Sequence, residues 1–268
     1  MTAFDTVEVT RQLRAAGCVF AEDEARLLTG AATSDAELAA LLTRRIAGTP
    51  LEHLLGWVQF RGLRIGVRAG VFVPRRRSGL MVEEALGLAA VRPVRTVVDL
   101  CCGSGALGLA LLTELDTRSA ELVAVDIDPV AVACARENVA AVGGRVHQGD
   151  LFDALPDGLR GRIDILLANT PYVPSDQIAW LPPEARDHES PVALDGGPDG
   201  LDLARRTAAG ASGWLAPGGS LLIEIGADQI PAATELLTGS GLIARIVRSP
   251  DLDATVAVGR RPRTTSVR

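Results

Sequence analysis

The stretch from Leu166 to Pro174 combines residue types that are able to hold a nitrogen atom. An apolar run over 163–168 has the length and composition of a buried strand, and it ends abruptly in a polar turn. The turn consists of Asn169, Thr170, Pro171 and Tyr172, the last being the only tyrosine of the chain. Because open α/β sheets bind ligands at the carboxyl ends of their strands, we predict that this turn holds an amino or amide nitrogen for methylation.

An amide nitrogen is a poor nucleophile because its lone pair is delocalised into the carbonyl group. In-line attack requires the nitrogen to lie close to the methyl carbon with its lone pair aimed at that carbon. We expect the side-chain oxygen of Asn169 and the backbone carbonyl of Thr170 to accept its two N–H bonds, while Tyr172 packs against the planar group. No strong base is required, since the methylated nitrogen loses its proton readily.

A second segment, Thr96 to Gly108, has the pattern of a strand, a glycine turn and the start of a helix. The G-x-G-x-x-G spacing that begins at Gly103, with Asp126 about 20 residues further on, formally matches a dinucleotide fingerprint. Asp99, however, lies inside the end of the strand, and the longer turn leaves its carboxylate beside the ligand. Such a carboxylate repels a pyrophosphate but suits a cationic, amino-acid-bearing ligand, which favours S-adenosylmethionine.

Each part of this segment then has an expected role towards the cofactor. The glycine turn lets the backbone approach the methionine and ribose groups, which a Cβ would obstruct. Asp126 is expected to accept hydrogen bonds from both ribose hydroxyls; the alternative, a cap for the next helix, suits Asp128 better. After the third strand, Asp150 would supply a polar contact and Leu151 an apolar wall for adenine.

Composition excludes several other classes of protein. All 27 basic residues are Arg, so neither a Walker-type phosphate loop nor a Schiff-base lysine is present. The four cysteines lack C-x-x-C spacing and the three histidines are scattered, so we expect no metal site and no disulfide framework. The net charge of −6 argues against a general nucleic-acid binder. With no membrane-length apolar run and no signal peptide, we expect a cytoplasmic protein.

Hydrophobic periodicity predicts an α/β fold with a small helical domain at its start. The first 55 residues show apolar residues at three-to-four spacing, which indicates short helices that either pack on the main domain or recognise a partner. The period then shortens, which predicts a hairpin turning near Arg61 and Gly62. The expected organisation is a helical domain at 1–55, a hairpin linker at 56–75, a methyltransferase domain at 76–261 and a tail at 262–268.

From Val94 onward strands and helices alternate, as is typical of a parallel sheet covered on both faces. We predict a seven-stranded, mostly parallel sheet that ends in a late β-pair. The predicted strands are Thr96–Leu100, Leu122–Asp126, Arg145–Gln148, Ile163–Ala168, Ser220–Ile225, Ile243–Arg248 and Thr255–Val258. The predicted helices are Gly105–Leu115, Pro129–Val142, Leu201–Gly210 and Asp228–Leu237.

An arginine run precedes this domain, with no acidic residue between His53 and Val82. A run of this kind is usually a solvated face; otherwise it meets phosphate or an acidic partner surface. Its members are Arg61, Arg64, Arg68, Arg75, Arg76 and Arg77.

The motifs occur in an order that resembles a known family. Asp-Leu-Cys-Cys-Gly-Ser-Gly, Ala-Val-Asp, Asp-Leu-Phe and Asn-Thr-Pro-Tyr resemble the motifs of class I (Rossmann-like) S-adenosylmethionine-dependent methyltransferases that methylate amino groups. The flanking segments 48–56, 71–75 and 189–201 are similar to those of the HemK/PrmC family of protein-(glutamine-N5) methyltransferases, and the resemblance covers residues 5 to 259. It implies methylation of the glutamine in the Gly-Gly-Gln motif of class I peptide release factors, with the helical domain helping to dock them.

The resemblance, together with the residues above, defines a candidate site. Its cofactor-binding members are Asp99, Cys101, Cys102, Gly103, Ser104, Gly105, Asp126, Asp150, Leu151 and Asn169, and its catalytic members are Asn169, Thr170, Pro171 and Tyr172. An alternative acceptor is the exocyclic amine of a flipped RNA or DNA base, which the same turn is able to hold.

This chain also departs from the family pattern, which suggests a diverged paralogue. The family usually has Pro where Thr170 stands, Pro-Glu-Thr where Arg76-Arg77-Ser78 stands, and often an aromatic residue where Leu151 stands. An additional residue, Ser190, also interrupts a Glu-Pro pair. The change at 76–78 replaces an acid near the site by positive charge.

Overall fold

The computed structural model describes residues 5–115 and 120–263, and this part of the chain begins with four helices. They are α1 (Thr6–Ala15), α2 (Ala21–Ala31), α3 (Asp35–Ile46) and α4 (Leu51–Leu55). Side chains cap two of them, since Asp5 accepts backbone N–H groups of α1 and Ser34 accepts one from α3. The apolar faces of α1 to α3 pack into a small core of their own that includes Leu13, Leu28 and Leu42.

The hairpin follows directly and turns where the sequence predicts. Strands β1 (Trp57–Phe60) and β2 (Leu63–Gly66) are antiparallel, and Phe60 pairs with Leu63. The two residues between them, Arg61 and Gly62, have φ values of 47° and 79°. Positive φ at both central positions matches the twist of a two-residue hairpin turn.

The main sheet confirms the predicted fold class. Among the described residues it has seven strands in the order β5-β4-β3-β6-β7-β9-β8, with β3 to β7 parallel and β9 and β8 added antiparallel. Every predicted strand lies within an observed one, although β7 begins at Leu215 rather than Ser220 because Leu215 pairs with Ile163 before a bulge. The strands are β3 (Thr96–Leu100), β4 (Glu121–Asp126), β5 (Arg145–Gln148), β6 (Ile163–Ala168), β7 (Leu215–Ile225), β8 (Ile243–Ser249) and β9 (Ala254–Arg260).

Helices cover both faces of this sheet. Successive strand residues point to opposite faces, so Val97 packs in one apolar core and Val98 in the other. One predicted helix end, at Gly210, is wrong, because this helix (α9, Asp202–Trp214) continues to Trp214 and buries that side chain against the sheet. The short helix Pro183–His188 (α8) was not predicted from the sequence. The helices are α5 (Gly79–Val91), α6 (Ala106–Glu114), α7 (Pro129–Val139), α8 (Pro183–His188), α9 (Asp202–Trp214) and α10 (Ile230–Gly239). Within the described residues, no helix is both long and apolar enough to cross a bilayer.

Polar contacts join the helical segment to the rest of the chain. Arg45, which is 8% exposed, bonds both carboxylate oxygens of Glu24 at 2.6 and 3.0 Å, and it also bonds Glu184 of α8 at 2.5 Å. The helical segment ends at Leu55, one residue before the expected start of the linker at 56. Residues 1–4 of the expected first domain and 264–268 of the expected tail lie outside the described residues.

The strand order places a switch point between β3 and β6. From β3 the chain proceeds outward to β4 and β5, and it then returns to the other side of β3 to form β6. Leu100 pairs with Ala168, so the last residues of the two central strands lie side by side. The turns that follow these strands therefore start next to each other, which is where doubly wound sheets bind ligands.

Candidate functional site

A cavity of about 1090 Å³ lies at this end of the sheet. That volume lies just above the range of about 300–1,000 Å³ that is usual for small-molecule sites, which fits a cavity that takes both a cofactor and an acceptor group. The structure brings most of the predicted site residues to its wall, and Asp99 and Gly105 are the two that do not line it. The lining members are Cys101, Cys102, Gly103, Ser104, Asp126, Asp150, Leu151, Asn169, Thr170, Pro171 and Tyr172.

The glycine turn after β3 is fixed by the neighbouring strand. The Asp126 carboxylate at the end of β4 accepts the backbone N–H of Gly103 at 2.8 Å and that of Asp128 at 3.0 Å. Gly103 has a φ of 55°, and a Cβ at this position would meet no atom within 4 Å and would project into open space. This bare backbone beside a strand-end carboxylate fits a ribose-bearing, amino-acid-bearing cofactor. Asp128 itself caps α7 by accepting the N–H of Val130, as predicted.

Asp99 lies behind the turn and not beside a ligand, which corrects the placement expected from the sequence. The residue is fully buried, and its carboxylate accepts the backbone N–H of Gly108 in α6 at 2.9 Å. Burial raises the pKa of Asp99 to about 7, and the nearby charge of Asp126 also raises it. Asp99 therefore supports the first turn of α6 and does not contact the cavity.

The two cysteines of the turn behave as small packing residues. Burial raises the pKa of both thiols, so Cys101 and Cys102 remain neutral. Cys101 has a φ of 54°, and Cys102 donates its backbone N–H to Val125 of β4 at 3.0 Å.

The expected adenine side of the cavity contains a polar and an apolar residue. Leu151, which comes shortly after β5, is 6% exposed and lines the cavity. Asp150 lines the same region, and its carboxylate accepts a hydrogen bond from Arg206 of α9 at 2.7 Å. Arg206 had no signal in the sequence, because its partner is 56 positions away.

At the turn after β6, the amide of Asn169 is oriented by a residue outside the predicted set. Its Nδ2 donates to the Ser78 hydroxyl at 3.3 Å, which leaves the side-chain oxygen as the acceptor available to a ligand. Ser78 is 2% exposed and lies just before α5. Thr170 is also buried, and within the described residues its hydroxyl has no hydrogen-bond partner.

Tyr172 contacts two charged residues that the sequence did not connect to it. Its hydroxyl donates to Glu224 of β7 at 3.3 Å and accepts a hydrogen bond from Arg77. Burial, followed by the Glu224 charge, raises the pKa of Tyr172 to about 12, so the phenol is neutral at physiological pH. Gln229 holds the same residue from behind, donating to the Tyr172 carbonyl at 3.1 Å.

A glycine-rich loop over 196–200 presses against the backbone of this turn. Gly196 donates its N–H to Val173 at 2.9 Å, and Gly200 has a φ of 76°. A Cβ on Gly200 would lie 2.2 Å from the Tyr172 carbonyl oxygen, a distance that no real structure tolerates. The closely spaced glycines were the sequence signal for this support.

Comparison with known proteins identifies the family. A family model described as "Methyltransferase small domain" matches residues 78–180. A release factor glutamine methyltransferase from Cereibacter sphaeroides is 39% identical over 222 residues, covering 81% of this chain and 76% of that protein. The chain belongs to the HemK/PrmC family of release factor glutamine methyltransferases. It is an S-adenosylmethionine-dependent N-methyltransferase.

The chain is also similar in sequence to an enzyme with a different named substrate, and similar in fold to a solved RNA methyltransferase. A 4-amino-L-phenylalanine/4-methylamino-L-phenylalanine methyltransferase from Streptomyces pristinaespiralis is 34% identical over 74% of this chain and 68% of that protein. A T. thermophilus 16S rRNA methyltransferase, solved in complex with AdoMet and guanosine, has a TM-score of 0.53 and 22% identity, covering 76% of this chain and 49% of that chain. The last comparison shows a shared fold.

Most of the arginine run is neutralised by acids of the same chain. Arg61 pairs with Glu83 and Glu114, Arg68 pairs with Glu137, and Arg75 pairs with Glu189. Arg77 pairs with Glu224, and Arg64 lies 4.3 Å from the ring centre of Trp57. The run is therefore largely an intramolecular ion-pair surface.

The contact between Gly200 and the Tyr172 carbonyl predicts a catalytic defect. In Gly200→Ala we expect the turn to be displaced and kcat to fall by about 100-fold, since misplacement by about 1 Å is that costly. Gly241→Ala is the matched control, because Gly241 has a φ of 75° and a Cβ there meets nothing within 4 Å. Both variants carry a left-handed strain of about 1 kcal/mol. Equal kcat values for the two variants, measured by methyl transfer, would contradict this support role.

The raised pKa of Asp99 predicts a pH-dependent stability. Its folded pKa of about 7 lies above the ordinary 3.8, so its stabilising contribution is complete below pH 3.8 and is lost as the pH rises to about 7. Asp99→Asn cannot titrate, so the Tm of this variant relative to wild type should increase across that window. The check is calorimetry at several pH values, and parallel Tm curves for the two proteins would show that Asp99 does not titrate there.

Proposed function

We propose that the acceptor is the side-chain amide of a glutamine in a protein, namely the glutamine of the Gly-Gly-Gln motif of a class I peptide release factor. The observation that carries the proposal is the fixed amide of Asn169, whose nitrogen is engaged by Ser78 at 3.3 Å. Its side-chain oxygen, which can only accept, is thereby the atom left to meet an N–H of the acceptor. A primary amide is planar and has two N–H donors, so it suits a turn that offers acceptor oxygens beside an aromatic ring.

Three parts of the turn would act together on that amide. The Asn169 oxygen and the Thr170 carbonyl each accept one N–H, and the Tyr172 ring packs against the planar group. Within the described residues, the Thr170 carbonyl takes part in no hydrogen bond. The substitution of Thr for the family's usual Pro keeps that carbonyl and gives up only ring rigidity.

The cofactor residues would present the reaction partner from the adjoining turn. S-adenosylmethionine, when bound, supplies an electrophilic methyl group on a sulfonium. The Asp126 carboxylate would accept the ribose hydroxyls with the lone pairs that Gly103 and Asp128 leave unused, while Gly103 leaves space for the methionine portion. The Leu151 side chain would pack against the face of the adenine ring.

Two other acceptors remain as outcomes of the experiment. A nucleic-acid base is disfavoured, because the arginine run is largely paired with the chain's own glutamates. A free aromatic amine is the second candidate, because the Streptomyces pristinaespiralis relative is named for such a substrate. The proposed partner would place the enzyme in the cytoplasm, where translation occurs.

The experiment is transfer of labelled methyl from S-adenosylmethionine to purified class I release factors, each compared with a variant in which the motif glutamine is replaced. We expect labelling that disappears with that glutamine. Parallel reactions contain RNA and 4-amino-L-phenylalanine. Labelling of either in place of the release factor would replace the proposed substrate and keep the methyltransferase activity.

The assigned roles predict different effects for two substitutions. Asn169→Ala should abolish transfer and change cofactor affinity by less than about tenfold, since it removes a contact to the acceptor. Asp126→Ala should weaken cofactor binding by about 100-fold, because two hydrogen bonds to a charged group are worth about 1.5 kcal/mol each. Calorimetric titration and initial rates separate the two effects. Normal turnover with weakened cofactor binding in Asn169→Ala would reverse its assignment.

A further inference from the structure

Arg77 joins three segments of the chain at the acceptor turn. It lies in a short 3₁₀ segment before α5, and its Nε donates to Oε1 of Glu224 in β7 at 3.2 Å. Its Nη2 donates to the hydroxyl of Tyr172, which in turn donates to the same Glu224 oxygen at 3.3 Å. The three side chains form a closed triangle, with the guanidinium carbon 5.7 Å from the centre of the tyrosine ring.

The burial of Glu224 explains why Arg77 forms an ion pair with it. The Glu224 side chain is only 3% exposed, and a buried carboxylate is costly unless a charge and hydrogen bonds compensate it. Within the described residues Arg77 is its ion-pair partner, and its second oxygen has no hydrogen-bond partner. A planar guanidinium has several donors in fixed directions, so one arginine can bond the carboxylate and the phenol together.

We propose that Arg77 is a positioning residue that fixes the ring of Tyr172 at the acceptor site. The inference rests on the proposed contact between Tyr172 and the acceptor amide. Arg77 itself acts through the tyrosine, by tying its hydroxyl to the buried carboxylate of Glu224 in β7. A ring held at its outer end presents one defined surface to a planar acceptor, and the in-line reaction is sensitive to such placement.

We call the contacts that join Arg77, Tyr172 and Glu224 the brace, and this chain's own sequence supplies it. The pattern that the chain resembles has an acidic residue where Arg77 stands. A second carboxylate beside buried Glu224 would repel it and would offer no donor to the tyrosine hydroxyl. The neighbouring residue, Ser78, holds Asn169, so two adjacent residues orient both side chains of the turn that face the acceptor.

The test compares Arg77→Met and Arg77→Lys with a matched control. Arg68→Met removes another arginine–glutamate pair from the same part of the chain, and the two arginine side chains have similar exposure, 45% for Arg68 and 43% for Arg77. We expect Arg77→Met to lower kcat by roughly tenfold to 100-fold with little change in KM. Arg77→Lys should recover only part of that loss, because a lysine is a point charge without the planar fork. Arg68→Met should retain wild-type kcat.

A second readout does not depend on the acceptor. Because Tyr172 is the only tyrosine, isotope labelling at Cζ gives one tyrosine resonance, whose position reports hydrogen bonding of the hydroxyl. Arg77→Met should shift this resonance and Arg68→Met should leave it unchanged. If no release factor is labelled, the resonance still tests the brace, so failure of the proposed function and failure of this inference are distinguishable.

A double-mutant cycle with Tyr172→Phe separates positioning from general damage. Tyr172→Phe removes the hydroxyl that Arg77 holds and keeps the ring. We expect Arg77→Met to have little further effect on kcat in that background, because the shared contact is already lost. Additive losses in kcat, or an unchanged Cζ resonance in Arg77→Met, would overturn the proposal. If Arg77→Met does not fold, Arg77→Lys takes its place in both measurements.

Discussion

The hydrogen-bonded register between β3 and β6 is the constraint on which the whole site depends. Leu100 lies opposite Ala168, so two parallel strands from distant parts of the chain end at the same level. Each strand is then followed at once by a turn that lines the cavity. A shift of one residue would move one turn along the sheet and would also reverse which side chains face each core. The neighbouring strands β4 and β7 end at the same edge of the sheet. Asp126 is the last residue of β4, and Glu224 is the residue before the last in β7.

Around this edge, buried acids are a second organising feature. Asp99 and Glu224 lie in the sheet, and Glu189 is 4% exposed in the segment after α8. Each is held by a backbone N–H or an arginine, as when Glu189 accepts from the N–H of Val73 at 3.1 Å and from Arg75 at 2.6 Å. These bonds hold the first turn of α6, the 3₁₀ segment before α5 and the irregular segment at 73–75.

The turn at 169–172 is held by segments that are far apart in the sequence. Ser78 and Arg77 come before the sheet, Gly200 and Gln229 come after β6, and all four contact the short turn at 169–172. The wall also includes Glu184, which is bonded to Arg45 of the helical segment. The conformation of this turn therefore depends on residues from several distant parts of the chain.

The sequence alone determined the sheet, the hairpin turn and the location of the two turns that line the cavity after β3 and β6. These features are local: apolar runs of strand length, glycines with positive φ and an Asn-Thr-Pro-Tyr turn are each contained within a few residues. Only the tertiary structure decided that Asp99 lies behind the glycine turn, that Arg206 pairs with Asp150, and that Arg77 and Ser78 hold Tyr172 and Asn169. Those contacts join residues up to 95 positions apart, and no periodic pattern encodes them. They arise because a buried polar group takes whichever partner the packed strands and helices bring within hydrogen-bond distance.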